Sequence, residues 1–480
     1  MLMQQLADYA IREQTSKLPP EVIHHAKRAV IDWYASLLPG SLVTPAILME
    51  EAFAEDLDRG RARLATGRRA TLRAAAMING AASHSVEFDD IYRDAGYHPG
   101  SPVISAALAA AQASGASGEK FLRGVIVGYE ISTRIGVAVM PSHYKYWHTT
   151  GTVGAFGAAA AAATVLGANK EQFMHALATV GSFASGLKQA FLSQAMTKPL
   201  HGGHAADAGC WAAMCAVKGV TGALDIIEGE SGFGNAMSVN PDWSKATKGL
   251  GKDYHINHVT FKNHGCCGHT FPSIDGVMHL QREHKFTHKD IKHVKLATYK
   301  AGLDIIDNAT PEGDYQAKFS IQYTVAHALV HGSVRLNAFL PERLNDADVR
   351  ALITKITPVA DPVLSKGYPG QRAAQVEIEL NDGRKLEHFQ PYRKGDPEMP
   401  LSDEELNDKY SELAEPVLGK VAAAALLKQL WSTEKLANVD YDTGAGAKRA
   451  PEEVPLGGRP EESPLGGRGR LINLIIRKNT

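Results

Sequence analysis

Four short segments hold most of the clustered histidine and lysine of this chain, far apart in sequence. They are HSVEFDDIYRDAGYHPG (His84 to Gly100), YWHTTGTVG (Tyr146 to Gly154), TKPLHGGHAA (Thr197 to Ala206) and FKNHGCCGHTFPSID (Phe261 to Asp275). Each sets ionisable side chains beside Gly or Pro, where the backbone turns and presents side chains rather than packing them. Read together they form an acid/base toolkit.

In the first segment Glu87, Asp89 and Asp90 precede His98 by about ten residues, enough for the loop to fold back and set a carboxylate beside an imidazole. Such a carboxylate fixes a histidine's tautomer and raises its pKa, as a general acid or base requires. In the second, His148 and two hydroxyls stand at the mouth of an Ala-rich helix, whose amino terminus favours an anion such as a substrate carboxylate. In the third, Lys198 lies before a proline and His201 before Gly202-Gly203, where a ligand or a second backbone can approach closely. An ammonium there binds a carboxylate and stabilises the enediolate left when a proton alpha to it is removed. The plainer reading of each segment alone is a capping turn or a surface lysine at a helix entrance; their combination points to chemistry.

The fourth segment carries His264, Cys266, Cys267 and His269, but adjacent cysteines with one-residue gaps are poor geometry for tetrahedral zinc. Four cysteines in all, Cys210 and Cys215 among them, match no iron–sulfur spacing, so the expectation is no metal and buried, inert thiols. There is no P-loop, no strand-linked G-x-G-x-x-G and no G-x-S-x-G elbow, which leaves nucleotide, dinucleotide and serine-hydrolase chemistry without support.

The elements that must position these residues read as mostly helical. From Leu6 to about Gly234, Ala-rich segments alternate with short Gly, Pro or Ser punctuation, and so much Ala implies close-packed helices. Pro19-Pro20 opens the amphipathic run that follows. After Phe261 the texture changes: His293 to Ile306 and Gln375 to Phe389 alternate apolar and polar residues, with a hairpin signal at Asn381-Asp382-Gly383. Helical texture returns at PLSDEELNDKYSELAEPVLG, where Ser402 and Glu405 have capping-box spacing. The expected organisation is therefore a helical domain over 1–261, an inserted α+β lid over 262–394, a helical return over 395–435, and a low-complexity tail over 436–480 that cannot bury a core.

With 480 residues the chain is long enough for two or three structural units, and Lys plus Arg (51) nearly cancel Asp plus Glu (52). No basic stripe interleaves with aromatics, so neither nucleic acid nor an anionic membrane is expected as a partner, and small molecules become the default. The most apolar stretch, Val153 to Gly167, is shorter than a bilayer span and reads as a buried helix. A vicinal cysteine pair and the absence of a signal-peptide pattern fit a cytoplasmic protein.

In this order FDD…HPG, TKPLH, FK…CC and KFSIQY (Lys318 to Tyr323) resemble the MmgE/PrpD family over roughly residues 5 to 432. That family includes 2-methylcitrate dehydratase, cis-aconitate decarboxylase and iminodisuccinate epimerase. The resemblance implies a large helical domain with a smaller α+β lid, a homodimer, a site between the two domains, and catalysis without organic cofactor or metal. It carries Asp89, Asp90, His98, His148, Lys198, Lys262 and Tyr323 onto positions that line the family's site. Glu87, Ile91 and Cys267 stand where the cis-aconitate decarboxylases have Asp, Thr and His, and HPGSPV departs from the loop of proteobacterial methylcitrate dehydratases. His269, two positions after Cys267, is a displaced imidazole that can take the missing place.

The expected function is a cofactor-independent lyase, first a dehydratase, acting on a small di- or tricarboxylate. Lys198 and Lys262 bind carboxylates, His98 or His148 removes the alpha proton, and the other imidazole or Tyr323 protonates the leaving hydroxyl; Asp89 or Asp90 orients a histidine, with His201, His269 and Glu87 in the binding shell. The same groups on opposite substrate faces serve an epimerase of a dicarboxylate such as iminodisuccinate, and a cis-aconitate-type decarboxylase follows. A non-catalytic carboxylate-binding protein is the reading from a different class.

Overall fold

Small side chains at helix contacts decide how the first part of this chain packs, because only Gly, Ala and Ser let helix backbones approach closely. The computed structural model describes residues 1–193, 195–368, 370–441 and 443. Its described residues divide into two units, one formed by Met1–Phe261 together with those from Ser402 to residue 443, the other by Lys262–Leu401. Of the low-complexity tail expected over 436–480, Val439 and Tyr441 are buried, with Gln112 Nε2 donating to the Val439 carbonyl at 3.3 Å; from residue 444 the tail lies outside the described residues.

Numbering the principal helices only, the first unit contains α1 (Pro20–Gly40), α2 (Leu72–His84), α3 (Gly100–Ser114), α4 (Gly118–Val139), α5 (Thr149–Leu166) and α6 (Thr197–Val217). Pro20 is the first residue of α1, where a missing N–H costs nothing, and Thr71 and Ser117 cap α2 and α4 with their hydroxyls. The α5 helix is buried on all sides; it is apolar and long enough to cross a membrane, yet 94% of it is enclosed by protein, as in a core helix. Helices α2 and α6 meet backbone to backbone. A Cβ on Gly80 would lie 2.8 Å from the Gly203 Cα, and one on Gly203 would lie 2.3 Å from the Met77 carbonyl oxygen. One residue earlier, a Cβ on Gly202 would meet Ser101 Oγ of α3 at 2.0 Å.

The helical pattern read from Leu6 to Gly234 is interrupted by an antiparallel hairpin, β1 (Leu57–Arg63) and β2 (Arg69–Ala70). Its sequence LDRGRAR buries only Leu57 and Ala62 well, so no period-2 apolar alternation marks it.

The second unit is α+β. Its four-stranded sheet has the order β4 (Ile356–Ala360), β3 (Ile291–Thr298), β5 (Ala374–Leu380), β6 (Lys385–Gln390). The β3–β4 pair is parallel and the other two pairs are antiparallel. Strand β5 alternates buried and half-buried residues, which places Val376 and Ile378 in one core with Val294 and Leu296 of β3. Helices α7 (Phe271–His284) and α8 (Ile321–His331) cover that core with Val277, Leu280, Val325 and Leu329. The Asn381-Asp382-Gly383 signal is the β5–β6 turn, with Gly383 at φ +88°. The strand expected over His293 to Ile306 ends at Thr298, and Lys300–Ile306 is helical.

The return to the first unit is α9 (Asp403–Leu418), opened by a capping box between Ser402 and Glu405. It buries Lys409, whose ammonium meets Asp32 Oδ1 of α1 at 2.6 Å and the Phe88 carbonyl oxygen at 2.9 Å. That bond ties the last helices to the acidic loop after α2.

Gly203→Ala tests the α2–α6 contact. Alanine favours a helix by roughly 1 kcal/mol, so a net loss in urea of about 1–3 kcal/mol isolates the steric clash. An unchanged or higher midpoint would show that the two backbones can separate without penalty.

Candidate active site

The α2–α6 contact brings three segments of the sequence to one place. His84 is the last residue of α2, one turn beyond Gly80; Lys198 and His201 lie in the first turns of α6, just before Gly203; His98 precedes Pro99 and the start of α3. The start of α5 joins them through His148, whose N–H is bonded to the Gly186 carbonyl. The Thr150 hydroxyl accepts from the His98 N–H at 3.3 Å, and the Thr149 hydroxyl donates to the Gly96 carbonyl, so the two capping turns hold each other.

Four imidazoles run in series. Ring centroids are 4.7 Å apart for His98 and His84, 5.6 Å for His84 and His148, and 5.3 Å for His148 and His201. At one end Asp89 Oδ2 lies 2.7 Å from His84 Nδ1 and 3.3 Å from His98 Nδ1. Burial alone would raise the Asp89 carboxyl, but the two imidazoles hold it well below the usual carboxylate range. Asp89 therefore stays ionised between the two rings. At the other end His148 and His201 face each other through Nδ1 atoms 3.0 Å apart. Burial, then the neighbouring His84 and Lys198, push His148 well below its ordinary value; burial and the His84 charge push His201 down to about 4. This pair is neutral at neutral pH.

Asp90 behaves oppositely to its neighbour. Burial and the charges of Asp32 and Asp89 raise its carboxyl well above the usual range. It bonds the Tyr129 hydroxyl at 2.8 Å and the Gly100 N–H at 2.9 Å, and so anchors the turn after His98 rather than a histidine ring. A Cβ on Gly100 would fall 2.9 Å from Asp90 Oδ1, which explains glycine there. Glu87 ion-pairs with Lys198, and this partner outweighs burial and raises the ammonium's pKa. Glu87 holds φ +60°, a left-handed conformation costly for a side-chain-bearing residue and often found at working sites.

Several expectations change. Lys198, expected where the backbone turns before Pro199, stands in the first turn of α6. Tyr323 was a candidate acid; it is fully buried in α8 and donates its hydroxyl to the Ala338 carbonyl, and burial raises its pKa further. Its proton is committed to that carbonyl, so the acid role does not suit it. In the second unit Lys262 is buried, and His269 Nδ1 lies 2.6 Å from the Tyr299 hydroxyl. His84 is the residue the sequence reading passed over: its spacing of five before Asp89, at a helix end, was the available signal. Among the described residues, the group whose atoms are placed to hold a metal ion is His84, Asp89 and His98, with ligand atoms within 4.8 Å of one another, rather than the histidine–cysteine segment after Phe261.

The MmgE/PrpD N-terminal domain matches residues 4–246, and the MmgE/PrpD C-terminal domain matches residues 264–433. The chain belongs to the MmgE/PrpD family. Among its relatives, a cis-aconitate decarboxylase-like protein of Aspergillus oryzae is 28% identical over 91% of this chain and 95% of its own length. The human cis-aconitate decarboxylase is 27% identical over 79% of this chain and 80% of its own. A mitochondrial 2-methylcitrate dehydratase of Yarrowia lipolytica is 32% identical over 25% of each chain. Named members of this MmgE/PrpD group are thus lyases, and the chain shares the family's helical and α+β composition.

The neutral histidines make stability pH-dependent. His143, held down to about 4 by burial, joins His148 and His201 in being neutral when folded. Unfolded, each titrates near ~6.5, so their stabilisation is intact above that pH and is lost as pH falls toward the folded values. Thermal melts should drop between pH 7 and pH 5, with His143 and His201 each costing on the order of 1–2 kcal/mol. A melting temperature constant over that range would contradict the neutral assignment.

Proposed function

We propose that this protein is a lyase of a small di- or tricarboxylate that works by proton transfer alpha to a carboxylate, with dehydration as its reaction. The observation that carries this is the contrast within one row of imidazoles: His148 and His201 are neutral, whereas His84 and His98 share an ionised Asp89. A ring kept neutral is suited to take a proton, and a ring beside an ionised carboxylate to deliver one. His148 takes the alpha proton. The electron pair enters the carboxylate as an enediolate, stabilised by Lys198, and then forms the double bond as the beta C–O bond breaks. His98, backed by Asp89, gives its proton to the departing hydroxyl, and water leaves. Glu87 keeps Lys198 charged and aimed.

Decarboxylation is the second reading, favoured by the decarboxylase names of the relatives that align over most of the chain. There the C–C bond to the departing carboxylate breaks, carbon dioxide leaves, and His98 protonates the carbanion. Return of the abstracted proton to the opposite face would instead give an epimerase.

Proton NMR in deuterated water with 2-methylcitrate, citrate, cis-aconitate, malate, tartrate and iminodisuccinate separates these outcomes. Alkene signals with retained carbon count support dehydration; carbon dioxide release supports decarboxylation; loss of an alpha-proton signal alone supports epimerisation. Silence across the panel, with binding still detectable, would sink the enzyme reading in favour of a binding protein. On the active substrate, Lys198→Ala and His98→Ala should each lower kcat at least about 100-fold with unchanged helical circular dichroism; wild-type rates in both would remove these residues from the chemistry. Turnover is expected to survive exhaustive chelation, and a loss restored by one metal would assign His84, Asp89 and His98 to that ion instead.

A further inference from the structure

Among the described residues of the second unit, one guanidinium finds no carboxylate partner. Arg372 makes no hydrogen bond or ion pair among the described residues, and its Nε is buried without a partner. Its guanidinium carbon lies 5.8 Å from the centroid of the Tyr368 ring. Tyr368 stacks on Tyr299, with centroids 4.8 Å apart and planes 14° from parallel, and the Tyr299 hydroxyl meets His269 Nδ1 at 2.6 Å. The neighbouring cation, Arg393, is already answered: Asp396 accepts from its Nε at 2.8 Å and from its Nη2 at 2.6 Å. Gly268 gives Arg393 room beside His269, since a Cβ there would lie 2.8 Å from Nη1. Asp396 thus spends its geometry on Arg393 and leaves Arg372 facing a second positive charge.

A partly buried guanidinium without a carboxylate is costly, and its planar fork suits a carboxylate that arrives from outside. Burial and the Arg393 charge lower the Arg372 pKa, the direction an incoming anion would reverse. Burial raises the Tyr299 hydroxyl, so it keeps its proton within 2.6 Å of His269 Nδ1; with that hydroxyl as donor, the His269 ring proton sits on Nε2. His269 is held down to about 4 by burial, Arg372 and Arg393, and so offers a neutral N–H. The elements are a charged fork, a neutral donor and a flat aromatic wall, which is how small carboxylate sites are commonly built.

We propose that Arg372, with His269 and the Tyr299–Tyr368 stack, binds a carboxylate group of a small polycarboxylate. This rests on the substrate class proposed above and adds residues to it. The test is isothermal titration of the full-length protein with tricarballylate, which has neither the hydroxyl needed for dehydration nor a double bond. Arg372→Met should weaken binding by about tenfold or more, and Arg372→Lys, which keeps the charge and loses the fork, by a smaller factor. Circular dichroism and melting temperature serve as the folding control, and if Arg372→Met does not fold, Arg372→Lys alone decides. An affinity unchanged within about twofold in the folded variant overturns the assignment, as does wild type that binds no tricarballylate. Inorganic phosphate bound more tightly than tricarballylate, and lost with Arg372, would overturn the carboxylate choice. Failure of the lyase reading is separable: no turnover of any acid, with tricarballylate binding still dependent on Arg372, removes the reaction and keeps this site. Turnover by wild type, with binding indifferent to Arg372, does the reverse.

Discussion

The contact between Gly80 and Gly203 is the constraint on which the candidate site depends. Two helices that touch through glycine backbones are fixed in both distance and register, because neither has a side chain to rearrange. That register sets His84 at the end of α2 and His201 at the start of α6 on either side of His148. Gly202 and Ser101 extend the same contact to α3, whose first turn follows His98. The imidazoles then inherit their spacing from backbone packing rather than from flexible loops, which suits acid/base work that tolerates little misplacement.

Electrostatics divides labour among residues that look alike. Asp89 and Asp90 are adjacent, fully buried carboxyls, yet one is ionised between two imidazoles and the other is pushed toward its neutral form by Asp32 and Asp89. The first can support a charged histidine. The second serves the backbone at Gly100 and the Tyr129 hydroxyl. His148 and His201 are pushed toward the neutral form by burial and the neighbouring His84 and Lys198, whereas His84 and His98 face Asp89. The buried Lys409–Asp32 pair belongs to this arrangement too, since it holds the Phe88 carbonyl and thereby the acidic loop.

Much of this was legible in the chain. The Ala-rich segments announced close-packed helices, the capping box announced the Ser402 helix, and Asn381-Asp382-Gly383 announced the β5–β6 turn, each through local physics that needs no partner. The motifs in their order were specific enough to give the family. The β1–β2 hairpin was not legible, because its strand shows no apolar alternation, and the helix after Thr298 was hidden in a run that continued the strand's texture. His84 was missed because a histidine at a helix end carries no local mark of the carboxylate it meets. Tyr323 was overvalued because sequence does not show that its hydroxyl is taken by the Ala338 carbonyl.

What the sequence by itself determined is the set of reactive residue types and the helical and α+β textures, which follow from local spacing and composition, while its ordered motifs resemble those of the MmgE/PrpD family. What only the tertiary structure decided is protonation and pairing: an ionised Asp89 beside an Asp90 pushed toward its neutral form, a neutral His148–His201 pair, a Lys198 kept charged by Glu87, and an Arg372 without a carboxylate partner among the described residues. The physical reason is that a pKa depends on desolvation and on charges brought near by folding, from residues that can be more than a hundred positions apart along the chain, as Lys198 and Glu87 are.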